Sequence, residues 1–169
     1  GLFEQIISIE QLADAYRLVR ANKGTSGVDG VKVEEFGARL EEELNSLSQE
    51  VSNWNYTPKP VKRVRIPKPG STEERLLGIP CVRDRVLQQS IRMSLEKLFE
   101  PEFSPNSFGF RPNRGQQNAI AQAQQFVKEG KTWIVDIDLE KFFDTINQDR
   151  LLYLLKRKVD DSRVLRLVG

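Results

Sequence analysis

Between Arg63 and Ile79 the chain changes its hydrophobic period, and that change limits the folds open to it. Arg63-Val64-Arg65-Ile66 alternates with period two, Lys68-Pro69-Gly70-Ser71-Thr72 is rich in turn formers, and Arg75-Leu76-Leu77-Gly78-Ile79 returns as a second apolar run. The pattern predicts a basic β-hairpin with Lys68 near its tip. On both sides of it the apolar residues recur at helical spacing, so the expected fold class is α+β, helix-rich with little sheet.

The helical segments are readable one by one. Ile9, Leu12, Tyr16 and Val19 mark a short amphipathic helix that ends at Asn22-Lys23-Gly24. Gly24 to Gly30 follows as a loop whose three glycines allow positive φ or close backbone approach; without a Gly-Lys-Ser/Thr ending it is not a phosphate loop of the nucleotide-hydrolase type. Phe36, Leu40, Leu44, Leu47 and Val51 predict one longer helix with Glu41-Glu42-Glu43 on its solvated face. Asp84 to Phe99 reads as a helix stopped by Pro101, and Gln116 to Lys128 as another, with Ile120, Ala123 and Val127 inward and Gly130 closing it. Phe103 to Pro112 is an aromatic-rich loop stiffened by prolines, and two short helices run from Asp149 to the end.

Composition removes several chemistries. The chain has no histidine and one cysteine, Cys81, which excludes Ser-His and Cys-His catalysis, His-ligated metals, an internal disulfide and a cysteine-rich zinc site. Carboxylates, lysines and arginines must carry any catalysis. No apolar run is long enough to span a bilayer and no signal-peptide layout is present, so the expectation is a cytoplasmic protein without a membrane partner. The net charge of +2 is unevenly spread: residues 1–55 hold five Lys/Arg against ten Asp/Glu, residues 56–92 hold nine against three, and residues 93–169 hold twelve against eleven. Because the basic block coincides with the hairpin, it points to a polyanionic partner.

Trp133-Ile-Val-Asp-Ile-Asp-Leu-Glu-Lys-Phe-Phe-Asp144 adds a chemical centre. A short apolar run that delivers Asp136 and Asp138 and then a paired aromatic reads as a strand presenting carboxylate oxygen to Mg²⁺, the ion that phosphoryl and nucleotidyl transfer uses.

Several blocks then occur together: Asn53-Trp54-x-Tyr56-x-Pro58, Ile66-Pro67-Lys68-Pro69-Gly70, Arg75 with Gly78-Ile79-Pro80, Asp84-Arg85-Val86-x-Gln88-Gln89, Phe103-x-Pro105 through Pro112, and Asp136 through Asp144. In order and spacing they resemble group II intron-encoded reverse transcriptases, over nearly the whole chain from Ile9 onward. The resemblance implies a right-hand polymerase fragment, with residues 1–55 as an N-terminal extension of the fingers, 56–130 as fingers and 131–169 as the start of the palm. It implies RNA-directed DNA synthesis by a two-Mg²⁺ mechanism, with group II intron RNA, an RNA template with a DNA primer, and deoxynucleoside triphosphates as partners.

Residue roles follow from the same resemblance. Asp138 matches the first catalytic aspartate and metal ligand, and Leu139 would lend a backbone carbonyl to the nucleotide-bound metal. Phe143 matches the gate that excludes a 2′-hydroxyl, while Phe142 reads as core. Lys68 and Arg75 match the basic pair on the triphosphate. Arg63 and Arg65 are assigned to template or primer phosphates, and Arg111 either to nucleic acid or to a buried ion pair. Asp136 reads as structural, and Asp144 as a cap of the next turn.

Gly115 stands where the family generally has Ser or Thr, and Gln148 where His often follows, with Asn147 able to cap instead. No Tyr/Phe-Ala-Asp-Asp block is present. Together with the apolar stripe at Val164, Leu165, Leu167 and Val168, this predicts a truncated protein that binds RNA, is catalytically incomplete and can self-associate. Two alternatives stay open: a non-catalytic RNA-binding module, and a haloacid-dehalogenase-like phosphatase using Asp136 and Asp138.

Overall fold

The computed structural model describes residues 1–67, 69–70, 72 and 74–169. They divide into two compact units, Gly1–Leu95 and Glu96–Gly169. The order of elements in the first is α1 (Leu2–Ile7), α2 (Ile9–Ala21), α3 (Val33–Ala38), α4 (Leu40–Ser52), β1 (Lys62–Pro67), β2 (Glu74–Ile79) and most of α5 (Val82–Phe99). In the second, a 3₁₀ turn at Glu100–Glu102 precedes α6 (Gln116–Lys128), α7 (Phe142–Thr145), α8 (Gln148–Lys156) and α9 (Ser162–Val168). The α+β class expected from the periodicity is what forms.

Most of the buried apolar residues belong to the first unit. Phe3 and Ile6 of α1, Leu12, Ala15, Tyr16 and Val19 of α2, Leu44, Leu47 and Val51 of α4, and Val82, Val86 and Leu87 of α5 are all buried. Removing such side chains from water is the main driving force for these helices to pack. Ser8 separates α1 from α2 and caps the latter, its Oγ accepting from the Gln11 N–H at 3.3 Å.

The longer helix expected around Phe36 and Leu40 is two helices. Arg39 leaves helical geometry at φ −120°, ψ 31°, and the cause lies two residues earlier. Gly37 sits against the Tyr16 hydroxyl, where a Cβ would collide, and the Tyr16 hydroxyl donates to the Val33 carbonyl at 3.1 Å. A residue chosen for close approach is a poor helix former, and the chain restarts the helix at Leu40.

One polar cluster crosses this apolar core. Gln11, only 7% exposed, directs its Nε2 to the Ser90 carbonyl at 3.0 Å, Ser90 Oγ at 3.0 Å and Ser94 Oγ at 2.8 Å. The Ser90 hydroxyl donates to the Ile6 carbonyl at 2.6 Å. These bonds fix the register of α5 against α1 and α2, since buried polar groups tolerate no slip that leaves them unpaired.

The second unit is less thoroughly packed. α6 forms over the expected residues, with Gly130 at φ +87° beyond its end, yet Ile120 and Val127 are 50% and 61% exposed. Helical periodicity specifies a face but not its cover, so the inward placement expected for Ile120, Ala123 and Val127 does not occur. Asn147 caps α8 as expected, its Oδ1 accepting from the Arg150 N–H at 2.8 Å. Val159 and Val164 are the buried apolar residues here among those described.

The Gln11 cluster yields a prediction. Gln11→Ala removes the shared donor and leaves a void, so it lowers stability by about 2 kcal/mol. Urea denaturation of the two proteins side by side measures this; an unchanged midpoint would show that the cluster contributes nothing to folding.

Candidate nucleic-acid and nucleotide interface

The hairpin is antiparallel, with Arg63 opposite Gly78, Val64 opposite Leu77, Arg65 opposite Leu76 and Ile66 opposite Arg75. Cross-strand partners share a face, so Arg63 and Arg65 lie on one side, and Arg75 lies on the other with Val64 and Ile66. Arg63, Arg65 and Arg75 are all exposed. Arg65 meets Glu74 at 3.4 Å, an exposed pair that solvent screens strongly. Gly70 takes φ +73° at the turn. Lys68 lies outside the described residues.

The hairpin presents little core of its own: Val64 and Ile66 are half-buried on β1, and on β2 only Ile79 is. Isolated two-stranded hairpins are marginal in water, so its base matters. Asp84, 2% exposed, accepts from the Tyr56 hydroxyl at 2.7 Å and from the Lys59 backbone N–H at 3.2 Å. The segment leading into β1 is thereby tied to the first turn of α5, the helix that follows β2. Burial, and then the bond to Asp84, pushes the Tyr56 phenol far above its ordinary pKa.

The glycine loop is tied to the same place. Lys59 Nζ reaches Asp29 Oδ2 at 3.2 Å, and a Cβ on Gly27 would stand 2.7 Å from the Cys81 backbone and sulfur. Gly27 thus supplies the close approach and Gly30, at φ +74°, the left-handed turn that the sequence anticipated. Burial pushes the Asp29 carboxyl up, but hydrogen bonds from the Cys81 thiol, Lys59 and the Val31 N–H outweigh it, and the net pKa is lowered. Burial raises the Cys81 thiol. Nearby, Arg83 meets Glu50 at 2.8 Å, and this bond lowers the Glu50 carboxyl against a smaller effect of burial. Asp84, Tyr56 and Asp29 are positioning residues that periodicity did not single out; the only signal in the sequence was that Asp84 and Tyr56 belong to the blocks quoted for the family.

In the second unit, residues 131–140 are not a strand. Trp133, Ile134, Val135 and Ile137 are 95%, 87%, 81% and 81% exposed. A strand needs a neighbour for its N–H and C=O groups, and β1 and β2, the strands formed among the described residues, pair with each other. The expectation of a strand through Ile137 is corrected on that ground.

The residues that follow do gather. Ile137, Asp138, Leu139, Lys141, Phe142, Phe143 and Asp144 line one open hollow of about 670 Å³. Asp138 Oδ1 accepts from the Leu139 N–H at 2.8 Å. Lys141 turns the chain at φ +45° into the single helical turn α7, where Phe142 and Phe143 meet edge-on at 5.5 Å. Phe143 stands out at 86% exposure and Phe142 at 44%. Asp136 is outside this hollow, so the two aspartates that a haloacid-dehalogenase-like site needs are not brought together. Among the described residues no group of three metal-ligating side chains occurs. Asp138 and a Leu139 carbonyl fall short of the six oxygens of a Mg²⁺ shell; these residues alone do not fit the ion.

Arg111 takes the second of its two readings. Its side chain is 8% exposed and meets Glu100 at 2.8 Å. Its remaining donors reach the Ser104 and Ser107 carbonyls at 2.6 and 2.9 Å and the Glu100 carbonyl at 3.5 Å, and the guanidinium stands over the Phe103 ring. Its Nε also donates to Glu100 Oε1 at 3.0 Å, so every nitrogen of the guanidinium takes part in holding the loop.

The family model for reverse transcriptase (RNA-dependent DNA polymerase) matches residues 66–165. The chain is 38% identical over 173 aligned residues to Protein YkfC of Escherichia coli (strain K12), covering 99% of this chain and 45% of that protein. It is 32% identical to the Group II intron-encoded protein LtrA of Lactococcus lactis subsp. cremoris, over 91% of this chain and 25% of LtrA. It is 29% identical to Nuclear intron maturase 4, mitochondrial, of Arabidopsis thaliana, over 90% of this chain and 18% of that protein. The chain therefore spans less than half the length of each of these relatives.

Two predictions come from the hairpin base. Asp84→Ala strands the Tyr56 hydroxyl and the Lys59 N–H, costing about 3 kcal/mol by chemical denaturation, whereas Asp84→Asn, which keeps one acceptor, costs less; equal losses would show that the acceptor is unimportant. The lowered carboxyls of Asp29 and Glu50 contribute stability that is fully present above the ordinary carboxylate pKa of about 4, and it is lost as pH falls through their depressed values. Denaturation midpoints measured from pH 6 down to pH 2 should fall, and Asp29→Asn should flatten part of that fall.

Proposed function

The chain belongs to the reverse transcriptase family, and on that premise we propose that it is of the group II intron-encoded kind, as its likeness to LtrA supports, and that it forms the fingers and the opening of the palm of an RNA-directed DNA polymerase. The observation that carries this is the gathering of Asp138, Leu139 and Phe143 around one hollow, inside the matched residues 66–165. In this reading Asp138 is the catalytic carboxylate, Leu139 lends its carbonyl, and the projecting Phe143 ring sits under the incoming sugar and excludes a 2′-hydroxyl. Lys68 and Arg75 hold the triphosphate, while Arg63 and Arg65, on the face opposite Arg75, hold phosphates of template or primer.

Mg²⁺ is the ion the family generally uses; Asp138 and the Leu139 carbonyl would hold it, and these two oxygen donors do not complete its shell. The further carboxylates belong, in this proposal, to parts of the whole protein outside these 169 residues, as the greater length of the relatives supports. Intron RNA is the proposed partner of the whole protein, and splicing and mobility its proposed setting.

A second reading has its own support. The basic hairpin is formed and exposed, while residues 131–140 lack a strand partner. The 169 residues alone would then bind RNA without polymerising.

Both readings are testable with the isolated chain. On a DNA primer annealed to an RNA template, with Mg²⁺ and all four deoxynucleoside triphosphates, no primer extension is expected, and extension would overturn the incompleteness. Fluorescence anisotropy with a labelled RNA should show binding that Arg63→Ala with Arg65→Ala weakens about tenfold, with the salt slope reduced by about two. Unchanged affinity would remove the hairpin from the interface.

A further inference from the structure

A second basic feature of the first unit lies apart from the hairpin strands. Arg85, Gln88, Gln89 and Arg92 occupy positions i, i+3, i+4 and i+7 of α5 and so share one face. With Val19 and Asn22 at the end of α2 they line a hollow of about 280 Å³. Two guanidiniums and three amides surround it, and no carboxylate is among the lining residues. Arg92 and Gln88 are exposed at its rim, Arg85 and Gln89 half-buried, and Val19 buried.

Arg85 is held in place before any ligand arrives. Its Nη2 donates to the Thr25 carbonyl at 2.8 Å, and Gly24 packs so closely on Nη1 that a Cβ there would collide. Its Nε–H is buried and finds no acceptor among the described residues. A pre-oriented cation loses little side-chain freedom on binding, which favours a recurring anionic partner over a passing counterion. The amides of Asn22, Gln88 and Gln89 both donate and accept, and so match a ligand that carries hydroxyl groups beside its charge.

We infer that this hollow is a second contact for an RNA strand, in which Arg85 and Arg92 take backbone phosphate and the amides of Asn22, Gln88 and Gln89 take the 2′-hydroxyl. The inference rests on the reading of the chain as RNA-binding. It adds a site on α5 and a preference for RNA over DNA, since the 2′-hydroxyl is the group that separates the two backbones.

The test uses the 169-residue chain and one oligonucleotide sequence made as RNA and as DNA. Binding is followed by anisotropy across a salt series for the unaltered protein, for Arg92→Ala and for Gln88→Ala with Gln89→Ala. These positions are exposed or half-buried, and circular dichroism checks that each variant folds. Arg92→Ala should weaken RNA binding several-fold and lower the salt slope by about one. The double Gln variant should reduce the preference for RNA over DNA with little change in slope. Full affinity, slope and preference in both variants, while Arg63→Ala with Arg65→Ala still weakens binding, would overturn this inference and leave the hairpin reading standing. No RNA binding by the unaltered protein would overturn the RNA-binding reading itself. Inorganic phosphate, added against chloride at equal ionic strength, should not displace the RNA; displacement that Arg92→Ala abolishes would assign the hollow to the free anion instead. Gly24→Ala, which pushes on Arg85 without removing it, should weaken RNA binding in the same direction as Arg92→Ala, and wild-type affinity in this variant would contradict the claim that Arg85 must be held in place.

Discussion

The buried carboxylate of Asp84 is the interaction on which the placement of the hairpin depends. It takes the Tyr56 hydroxyl and the Lys59 N–H, and so joins the segment entering β1 to the helix that leaves β2. A two-strand hairpin with most of its side chains in water has little packing of its own. Its direction is set by what clamps its two ends. Without Asp84 the exposed arginines would still be present, but on strands free to splay and swing.

The same clamp gathers the glycine loop. Asp29 reaches Lys59, Gly27 packs on Cys81, and Arg85 holds Thr25. The loop, the hairpin base and the start of α5 thus meet around one set of hydrogen bonds, behind which the Gln11 cluster fixes α5 against the first two helices. Basic groups on the hairpin and on the outer face of α5 are presented by a unit whose core is well buried, and of these Arg65 also meets Glu74. The second unit differs in kind. Its apolar residues 133–137 are largely in water, and what order the Asp138 region has comes from a local turn at Lys141 and from the Phe142–Phe143 contact.

Much of this was legible in the sequence, for reasons that can be named. The hairpin was visible because alternation with a turn former between is a local signal, and α2, α5, α6 and the terminal helices because their caps and stops are local too. The break at Arg39 was hidden because it depends on Tyr16 packing against Gly37, a contact between residues far apart in the chain. The strand expected at Trp133 failed because pairing depends on a partner that no local pattern supplies. Arg111 carried two readings, and the ion pair with Glu100 depends on a loop fold that its two readings alone could not choose. The roles expected of Asp138, Leu139 and Phe143 came from family resemblance, whereas their lining of one hollow depends on the turn at Lys141, which no local pattern announced.

Hydrogen–deuterium exchange of the 169-residue chain, with and without a primed RNA template, tests the central claim most directly. The account predicts slowed exchange in residues 62–67 and 74–79 and no change along the acidic outer face of α4 around Glu41, Glu42 and Glu43. Protection on α4, or an unaltered hairpin under conditions where the RNA is bound, would contradict it.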